Sequence, residues 1–458
     1  MIGVTNRPRP ASVPETTGLG IPFTDALRVW ARIALLSFGG PAGQIAMMHR
    51  MLIEERRWID EARFLHALNF CMLLPGPEAQ QLAIYLGWLL HRTRGGIAAG
   101  ILFVLPGMLT LMALSWISVL WGQVGPVAGV FFGLKAAVLA VVVEAILRVG
   151  RRALTSPMTI LVAIAAFIAL FVFAVPFPAV MLTAAAIGLL KHRLGDRARN
   201  AVTRQPDDPS YQPTPRSATP ALGRGIRLAA FWLTLWLGPV IGLTIALGPD
   251  NVFTRLAVFF SKTAVVTFGG AYAILAYVAQ QAVEHFHWLQ PGEMLAGLGM
   301  AETTPGPLIM VLQHVGFLAG YHDPGTLPPL LAGTLAGLLV TWVTFTPCFL
   351  WVFLGAPYVE TLRDASGLGA ALSAVTAAVV GVIANLALWF GLHVLFREAR
   401  HWGPFGVTID LPVPGSLDPA AVLLAALAAF CLFRLRIGVI PTLLACAVGG
   451  VVAQAVAG

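Results

Sequence analysis

Long apolar stretches separated by short polar turns occupy most of the chain. After a first region described below, they lie at about 97–121, 126–148, 157–174, 177–190, 226–247, 253–281, 292–320, 328–355, 367–395, 417–433 and 438–456. Most are close to the roughly 20 residues that a helix needs to cross a bilayer. With two segments before them, the pattern predicts an all-α polytopic membrane protein of about 13 apolar segments.

Two helix breaks interrupt the first apolar region. One is Phe38-Gly39-Gly40-Pro41, and the other is Leu74-Pro75-Gly76-Pro77. Glycine is too free for a helix interior and proline lacks the amide donor, so each motif predicts helix, break, helix. At membrane depth, such breaks are tolerated where protein or a water-filled cavity satisfies the freed backbone, which predicts that both line a site. The two segments that contain these breaks could be full spans or re-entrant hairpins. Hairpins place Arg57 and its basic neighbours on the cytoplasmic side, which the positive-inside bias favours.

The chain contains an internal repeat. A shift of 230 positions places Phe268-Gly269-Gly270 on the first motif, Pro305-Gly306-Pro307 on the second, and Trp288 on Trp58, without a gap. The number of crossings between the two copies is odd in either topology, so the copies are predicted to be inverted. Inverted repeats with broken helices are typical of secondary transporters, whose substrate sites lie near the midplane.

The repeat divides the chain into four parts. We expect a disordered N-terminal tail (1–22), a first repeat (23–190), a linker rich in proline and arginine (191–225) and a second repeat (226–458). The basic loops are concentrated on the side of the membrane where the linker lies. The positive-inside bias therefore predicts that the linker and the N-terminus are cytoplasmic.

Composition supports membrane residence and excludes other classes. The chain is 58% hydrophobic and 11% charged. Its net charge of +8 comes from residues at segment ends and in the linker, without the interleaved aromatics of a nucleic-acid surface. Four scattered cysteines and unclustered histidines predict neither a disulfide framework nor a metal site. No cofactor is predicted.

Matched cations point to an anionic substrate. Arg32 and Lys262 each lie six residues before the phenylalanine of their motif. A cation at the centre of a membrane segment costs about 2.5 to 3.5 kcal/mol or more, and a bound dianion would explain two of them. Helices that begin after the four breaks would add amide donors and positive dipole ends. The alternatives are that both cations extend to an interface and that the glycines serve close helix packing.

Other polar residues complete the predicted site. Glu78 is expected to cap its helix, with a proton-carrying role as the alternative, and Glu302 is the first candidate for proton coupling, against a pair with a nearby cation. Asn69 either lines the site or bonds another helix; Lys135 and Glu144 are expected to pair with other helices, and His314 to pack. The predicted substrate site comprises Arg32, Phe38, Gly39, Gly40, Pro41, Asn69, Pro75, Gly76, Pro77, Glu78, Gln80, Lys262, Phe268, Gly269, Gly270, Thr303, Thr304, Pro305 and Gly306.

These motifs resemble the chromate ion transporter family in its long, two-domain form. The resemblance rests on Phe38-Gly39-Gly40-Pro41, on the run from Asn69 through Pro75-Gly76-Pro77-Glu78-Ala79-Gln80-Gln81, and on Thr303-Thr304-Pro305-Gly306-Pro307. It covers nearly the whole chain outside the tail and linker. It implies export of chromate across the bacterial cytoplasmic membrane and chromate resistance, with sulfate as a related ligand. The second half departs from the first at Ala271 and Leu308, which replace Pro41 and Glu78, so the two half-sites need not contribute equally.

Several alternatives stay open at this stage. A carrier of sulfate or another oxyanion, working in either direction, fits the same residues, and so does an anion channel. A membrane enzyme is disfavoured because no flavin, haem or metal motif occurs. Oligomeric state is undecided, with a homodimer as the candidate.

Overall fold

The computed structural model describes residues 20–38, 40–199, 222–268, 271–356, 366–402 and 409–457. These residues form sixteen α-helices and one antiparallel pair of strands. Six helices are long and apolar enough to cross a membrane, which confirms a multi-pass helical membrane protein. The predicted tail, most of the linker, and the site residues Gly39, Gly269 and Gly270 lie outside the described residues.

The first half contains seven helices. They are α1 (Phe23–Leu36), α2 (Gly40–His49), α3 (Glu61–Cys71), α4 (Glu78–Trp121), α5 (Gly125–Ala153), α6 (Pro157–Phe171) and α7 (Phe177–Arg199). The α2 helix continues as a π-helix, Arg50–Glu55.

The second half repeats this order with additions. Its elements are α8 (Leu222–Leu247), α9 (Val252–Val266), α10 (Ala271–Gln280), a π-helix (Gln281–His285), α11 (Pro291–Thr303), a 3-10 turn (Leu308–Met310), α12 (Val311–His322), α13 (Pro329–Gly355), α14 (Ser366–Leu395), β1 (Ala399–Trp402), β2 (Ile409–Pro412), a 3-10 turn (Pro414–Ser416), α15 (Pro419–Ala429), a π-helix (Phe430–Arg434) and α16 (Val439–Ala457). The sequence treated 253–281 as one apolar segment, but its motif divides it into α9 and α10. The strands were not predicted.

The long α4 helix reverses direction at a kink. His91 and Arg92 have non-helical backbone angles, and Arg92 has a φ of 52°. A Cβ built on Gly87 would lie 2.5 Å from the carbonyl oxygen of Gly95, so the backbones on either side of the kink touch. Residues 78–90 and 93–121 therefore pack as an antiparallel pair, as α12 and α13 do in the second half.

The broken helices of the second half form two pairs, and the outer ends of both pairs lie at the same end of the bundle. The Arg255 guanidinium, at the start of α9, lies 5.1 Å from the ring centroid of Phe286, which follows the π-helix. His322, at the end of α12, lies 3.4 Å from the Glu293 carboxylate at the start of α11. Each of the pairs α9–α10 and α11–α12 is therefore a helical hairpin with its tip inside the protein.

The first half has the same arrangement. His91, at the α4 kink, donates to the carbonyl of Ile21 at 2.9 Å, which places the start of α1 beside the kink. The rings of Phe70 in α3 and Tyr85 in α4 lie 5.4 Å apart, so these two helices flank each other across the break.

The two sets of hairpins enter the bundle from opposite ends. As α4 runs away from its kink, Gly107 meets Gly306 at the tip of the second set, and Ser115 then meets His314 farther along α12. In return, α13 passes Gly76 at Cys348 and ends with Gly355 against Phe70. Each long helix therefore travels past the tip of the other half's hairpin.

A group of helices from both halves covers only the second hairpin set. The α5 helix packs closely on α16, where Gly133 lies against the backbone of Cys446, and on α11, where Gly299 lies against Leu134. The central residues of α11, Met294 to Glu302, are buried. The equivalent α3 keeps an exposed face that includes Leu65 and Met72.

Candidate functional site

Two backbone hydrogen bonds cross between the halves where the helices break. The amide of Gly76 donates to the carbonyl of Thr267 at 2.8 Å, and the amide of Gly306 donates to the carbonyl of Ser37 at 2.9 Å. The two donors are 230 positions apart, as are the two acceptors. We call this meeting of the four breaks the junction.

Glycine is required at both Pro-Gly-Pro tips. Gly76 has a φ of 122° and Gly306 a φ of 105°, angles that residues with a side chain rarely adopt. Space is also short, because a Cβ on Gly76 would lie 3.0 Å from Cys348 Sγ and one on Gly306 would lie 3.2 Å from Gly107 Cα. The tips therefore approach their neighbours more closely than any other residue would allow.

Hydroxyl side chains close the helices that supply the acceptors. Ser37 Oγ donates to the carbonyl of Ile33 at 2.6 Å, and Thr267 Oγ1 donates to that of Thr263 at 2.7 Å. Both side chains are buried. By bonding within their own helices, they leave their main-chain carbonyls directed at the other half.

Helix N-termini converge on the junction. The α2 helix begins at Gly40, α4 at Glu78 and α10 at Ala271, each directly after a break. The first amides of a helix have no partner within it and carry partial positive charge. Glu78 lies in the first turn of α4, among these amides, and its predicted capping role stays a prediction.

Three buried glutamines lie in α2 and α4, the helices that begin at the breaks of the first half, and the predicted site contained only one of them. Gln44 donates through Nε2 to the carbonyl of Gly306, and Gln81 donates to that of Pro75 at 2.6 Å. Gln80, which the sequence did predict, is fully buried, and its side chain makes no hydrogen bond with any residue in the described ranges. Gln44 lacked a sequence signal because its partner lies 262 residues away.

Glu302 pairs with a phenol. Its Oε1 accepts from the Tyr272 hydroxyl at 2.6 Å, and its exposure is 5%. Arg148 and Glu144 on α5 act electrostatically on this carboxyl group and bond each other. Tyr272, like Gln44 and Gln81, is a residue that the predicted site did not contain.

Arg32 and Lys262 are not directed into the junction. Both lie on exposed faces of their helices, Arg32 beside Leu35 and Lys262 beside Val265. Asn69 is likewise on the exposed face of α3. Their predicted contact with substrate stays a prediction, and the structure does not bring them together with the buried glutamines.

The remaining predicted residues divide between packing and the site. Thr303 and Thr304 bond the carbonyls of Met300 and Ala301 at the end of α11. Phe38 and Phe268 are half-buried, as is Pro41. Of the other intramembrane groups, His314 bonds Ser115 at 2.8 Å, Lys135 extends over Gly292, and Glu144 pairs within its own helix rather than with another.

The fold and the junction define a multi-pass helical membrane protein built around two sets of broken helices. This chain belongs to the chromate transporter family, which matches residues 24–189 and 254–451. The resemblance found in the sequence is therefore confirmed.

Curated relatives span most of the chain. A chromate transport protein of Pseudomonas aeruginosa is 31% identical over 82% of this chain and 83% of its own length. One from Cupriavidus metallidurans is 27% identical over 82% of this chain and 86% of its own. A probable chromate transport protein of Synechococcus elongatus is 27% identical over 81% and 84%. No solved structure matches the chain significantly.

Proposed function

We propose that this protein is a secondary transporter that exports chromate across the bacterial cytoplasmic membrane and thereby confers chromate resistance. The observation that carries the proposal is the crossed pair of hydrogen bonds between Gly76 and Thr267 and between Gly306 and Ser37. It joins four helix breaks from two halves at one place, the arrangement that transporters use for a substrate site. The relatives from Pseudomonas aeruginosa and Cupriavidus metallidurans are chromate transport proteins, and this supplies chromate as the proposed substrate.

Inverted repeats would support alternating access. The two hairpin sets enter from opposite ends, and their tips are bonded by equivalent atoms. Two inverted halves can exchange conformations, so that each end of the bundle opens in turn around one site. The hairpins are then re-entrant, which is how half-length helices such as α2 and α10 can be accommodated.

Charge assigns a side to each end. The turns of the first hairpin set carry Arg50, Arg56 and Arg57, and the α4 kink adds Arg92. The equivalent end of the second set, within the described residues, carries one arginine, Arg255, together with Glu293 and His322. The positive-inside bias makes the first end cytoplasmic, with the N-terminus and the linker on that side.

An oxyanion fits the groups at the junction. The N-termini of α2, α4 and α10 and the unpartnered amide of Gln80 are donors, and broken helices use such donors for anions. Arg32 and Lys262, on exposed faces, are assigned to attracting anions towards the site.

Energetics favour export without requiring a coupling ion. A cytoplasm-negative potential drives a negative charge outward with about 2.3 kcal/mol per charge for each 100 mV. We assign proton coupling, where it operates, to Glu302 with Tyr272, because a buried carboxyl group bonded to a phenol can hold or release a proton within the protein. Glu78, half-buried at the start of α4, is the second candidate.

Uptake of labelled chromate into inverted membrane vesicles tests the proposal. We expect saturable uptake that depends on the protein. Excess sulfate should have little effect on this uptake. Preferred uptake of sulfate would identify a sulfate carrier. A current that rises with driving force and does not saturate would identify a channel.

A further inference from the structure

Three buried amide side chains beside the breaks come from the first half. We call Gln44, Gln80 and Gln81 the glutamine cluster; their exposures are 1%, 0% and 0%. A shift of 230 positions places Ile274, Met310 and Val311 at the equivalent positions of the second half. The cluster is therefore a property of this junction and not of the repeat.

The hydrogen bonds of the cluster fix the orientation of two amides. Gly306 and Pro75 present carbonyl oxygens, which only accept, so Gln44 and Gln81 must direct Nε2 at them. Oε1 of both side chains is then left buried and without a partner. Gln80 lacks partners on both Oε1 and Nε2.

This leaves three acceptor oxygens that need donors. An unpaired buried polar atom has lost its hydrogen bonds to water without replacement, so a ligand that supplies the missing donor is favoured. A fully deprotonated oxyanion has only acceptors, and it could satisfy Nε2 of Gln80 but none of the three oxygens. A protonated oxyanion offers acceptors and also one O–H group, which can satisfy one of the three oxygens.

Charge points to the same ligand. Arg32 and Lys262 are on exposed faces, so the cluster must hold an anion with neutral amides and helix N-termini. The cost of removing an ion from water rises with the square of its charge, which makes a monoanion far easier to accommodate than a dianion.

Among the residues that the structure describes, the titratable groups around the junction add no compensating cation beside the cluster. Glu78 starts α4, Cys71 ends α3, and Cys348 of α13 lies against Gly76. On the hairpin of the second half, Glu302 bonds Tyr272, and the nearby Arg148 is engaged by Glu144. Carboxyl groups at this site would repel a dianion more strongly than a monoanion.

We infer that the junction binds hydrogen chromate, the protonated monoanion, with its O–H group donated to the glutamine cluster. This inference rests on the proposed function, because it names the form of chromate that the same site takes.

The dependence of uptake on pH separates the two forms of the substrate. Uptake into inverted vesicles is measured between pH 6 and 9 with the pH gradient collapsed. We expect the KM for total chromate to rise about tenfold for each pH unit above the pKa of hydrogen chromate, with little change in maximal rate. A KM that stays constant over this range would overturn the inference and would mean that water satisfies the cluster.

A variant of the cluster distinguishes recognition from packing. Gln80→Met keeps the length of the side chain and removes both polar atoms. We expect its KM to rise and to depend less steeply on pH, because the preference for the protonated form is weakened. A KM raised by one factor at every pH would indicate a structural role and count against the inference. Gln123→Met, in an exposed loop, is the matched control.

Competing anions provide an independent readout. Sulfate carries no proton in this pH range, and perchlorate has the charge of hydrogen chromate without its proton. We expect both to compete at least tenfold more weakly than hydrogen chromate, and equal competition by either would overturn the inference. Absence of saturable uptake at every pH would instead refute the proposed function, so the two failures are distinguishable.

Discussion

The amide of Gly306 donates to the carbonyl of Ser37 across the boundary between the halves. With its counterpart between Gly76 and Thr267, this bond makes each Pro-Gly-Pro tip depend on the opposite half. The junction is therefore a shared structure in which neither half is complete alone.

A side chain at the second tip should disrupt transport. Gly306→Ala forces a left-handed backbone on alanine, at about 1 to 2 kcal/mol, and brings its Cβ close to Gly107. We expect chromate uptake to fall at least tenfold while the protein still accumulates in the membrane. Gly325→Ala is the control, because Gly325 also has a positive φ but faces open space. Equal effects of the two substitutions would show that backbone strain, and not the junction, is responsible.

The bond between Tyr272 and Glu302 should control the response of uptake to a proton gradient. Tyr272→Phe and Glu302→Gln each remove part of the pair, so we expect uptake to lose its dependence on an imposed pH gradient while the response to membrane potential remains. Tyr277→Phe is the control, because Tyr277 lies on the same helix as Tyr272 and the substitution keeps a ring stacked on Phe177. We expect this variant to keep the response to the pH gradient. Retention of the gradient response in Glu302→Gln would exclude this carboxyl group as the coupling site.

The exposed cations should affect substrate capture more than turnover. Arg32→Ala and Lys262→Ala remove charge from exposed helix faces, so we expect KM to rise several-fold and to become less sensitive to salt. The control is Arg28→Ala, at an exposed position one turn before Arg32 in the same helix. If KM and salt dependence match the parent in both variants, the two residues are interfacial anchors.

The turns that follow the π-helices Arg50–Glu55 and Gln281–His285 should face opposite sides of the membrane. Arg57 and His287 occupy equivalent positions and share a φ of 53°. With Cys71, Cys348, Cys431 and Cys446 buried, an impermeant thiol reagent should label Arg57→Cys from the cytoplasm and His287→Cys from outside. Labelling of both from one side would contradict the inverted arrangement, and labelling of Arg57→Cys from outside would contradict re-entrant hairpins.

Asp418 should stabilise the outer end of α15 in a pH-dependent manner. Burial opposes its ionisation, but hydrogen bonds from the Ala421 amide and Arg397 outweigh this and hold the pKa of Asp418 below its usual range. Its contribution is complete above the unfolded pKa of about 3.9 and is lost as pH falls through the lower folded pKa. We expect Asp418→Ala to reduce the free energy of unfolding by about 1 kcal/mol at neutral pH.

Thermal unfolding followed by tryptophan fluorescence measures this effect. The difference from the parent should shrink once the pH falls below the unfolded pKa. Asp323→Ala, an exposed position at the end of α12, is the control. A difference that does not change with pH would show that the carboxylate charge is not involved.

Local signals in the sequence predicted the breaks but not their partners. Adjacent glycines and prolines at 38–41, 75–77, 268–270 and 305–307 combine two helix-breaking residue types, so the break positions followed from the residues. The crossed bonds depend on residues far apart in the chain, and Gln44 and Tyr272 carried no local signal. The inverted relation of the halves stays a prediction that the hairpin contacts support.

Helix faces account for the other shortfall. The position of Arg32 along α1 was clear, but α1 is apolar around much of its circumference, and the sequence did not show which side would be buried. The structure places Trp30 and Ile33 inside and Arg32 outside. The strand pair β1–β2 was missed because it follows α14 in a short polar connection with no alternating pattern.

The hydrogen bond from the Gly76 amide to the Thr267 carbonyl affects how the chain inserts into the membrane during synthesis. While the first half is synthesised and inserted, its tip has no acceptor, because Thr267 has not yet been added to the chain. An unpaired backbone amide in lipid costs several kcal/mol, so the first hairpins gain full stability only after the second half arrives. Biogenesis thus has to keep the early segments competent for insertion until the chain beyond residue 267 is available to complete them.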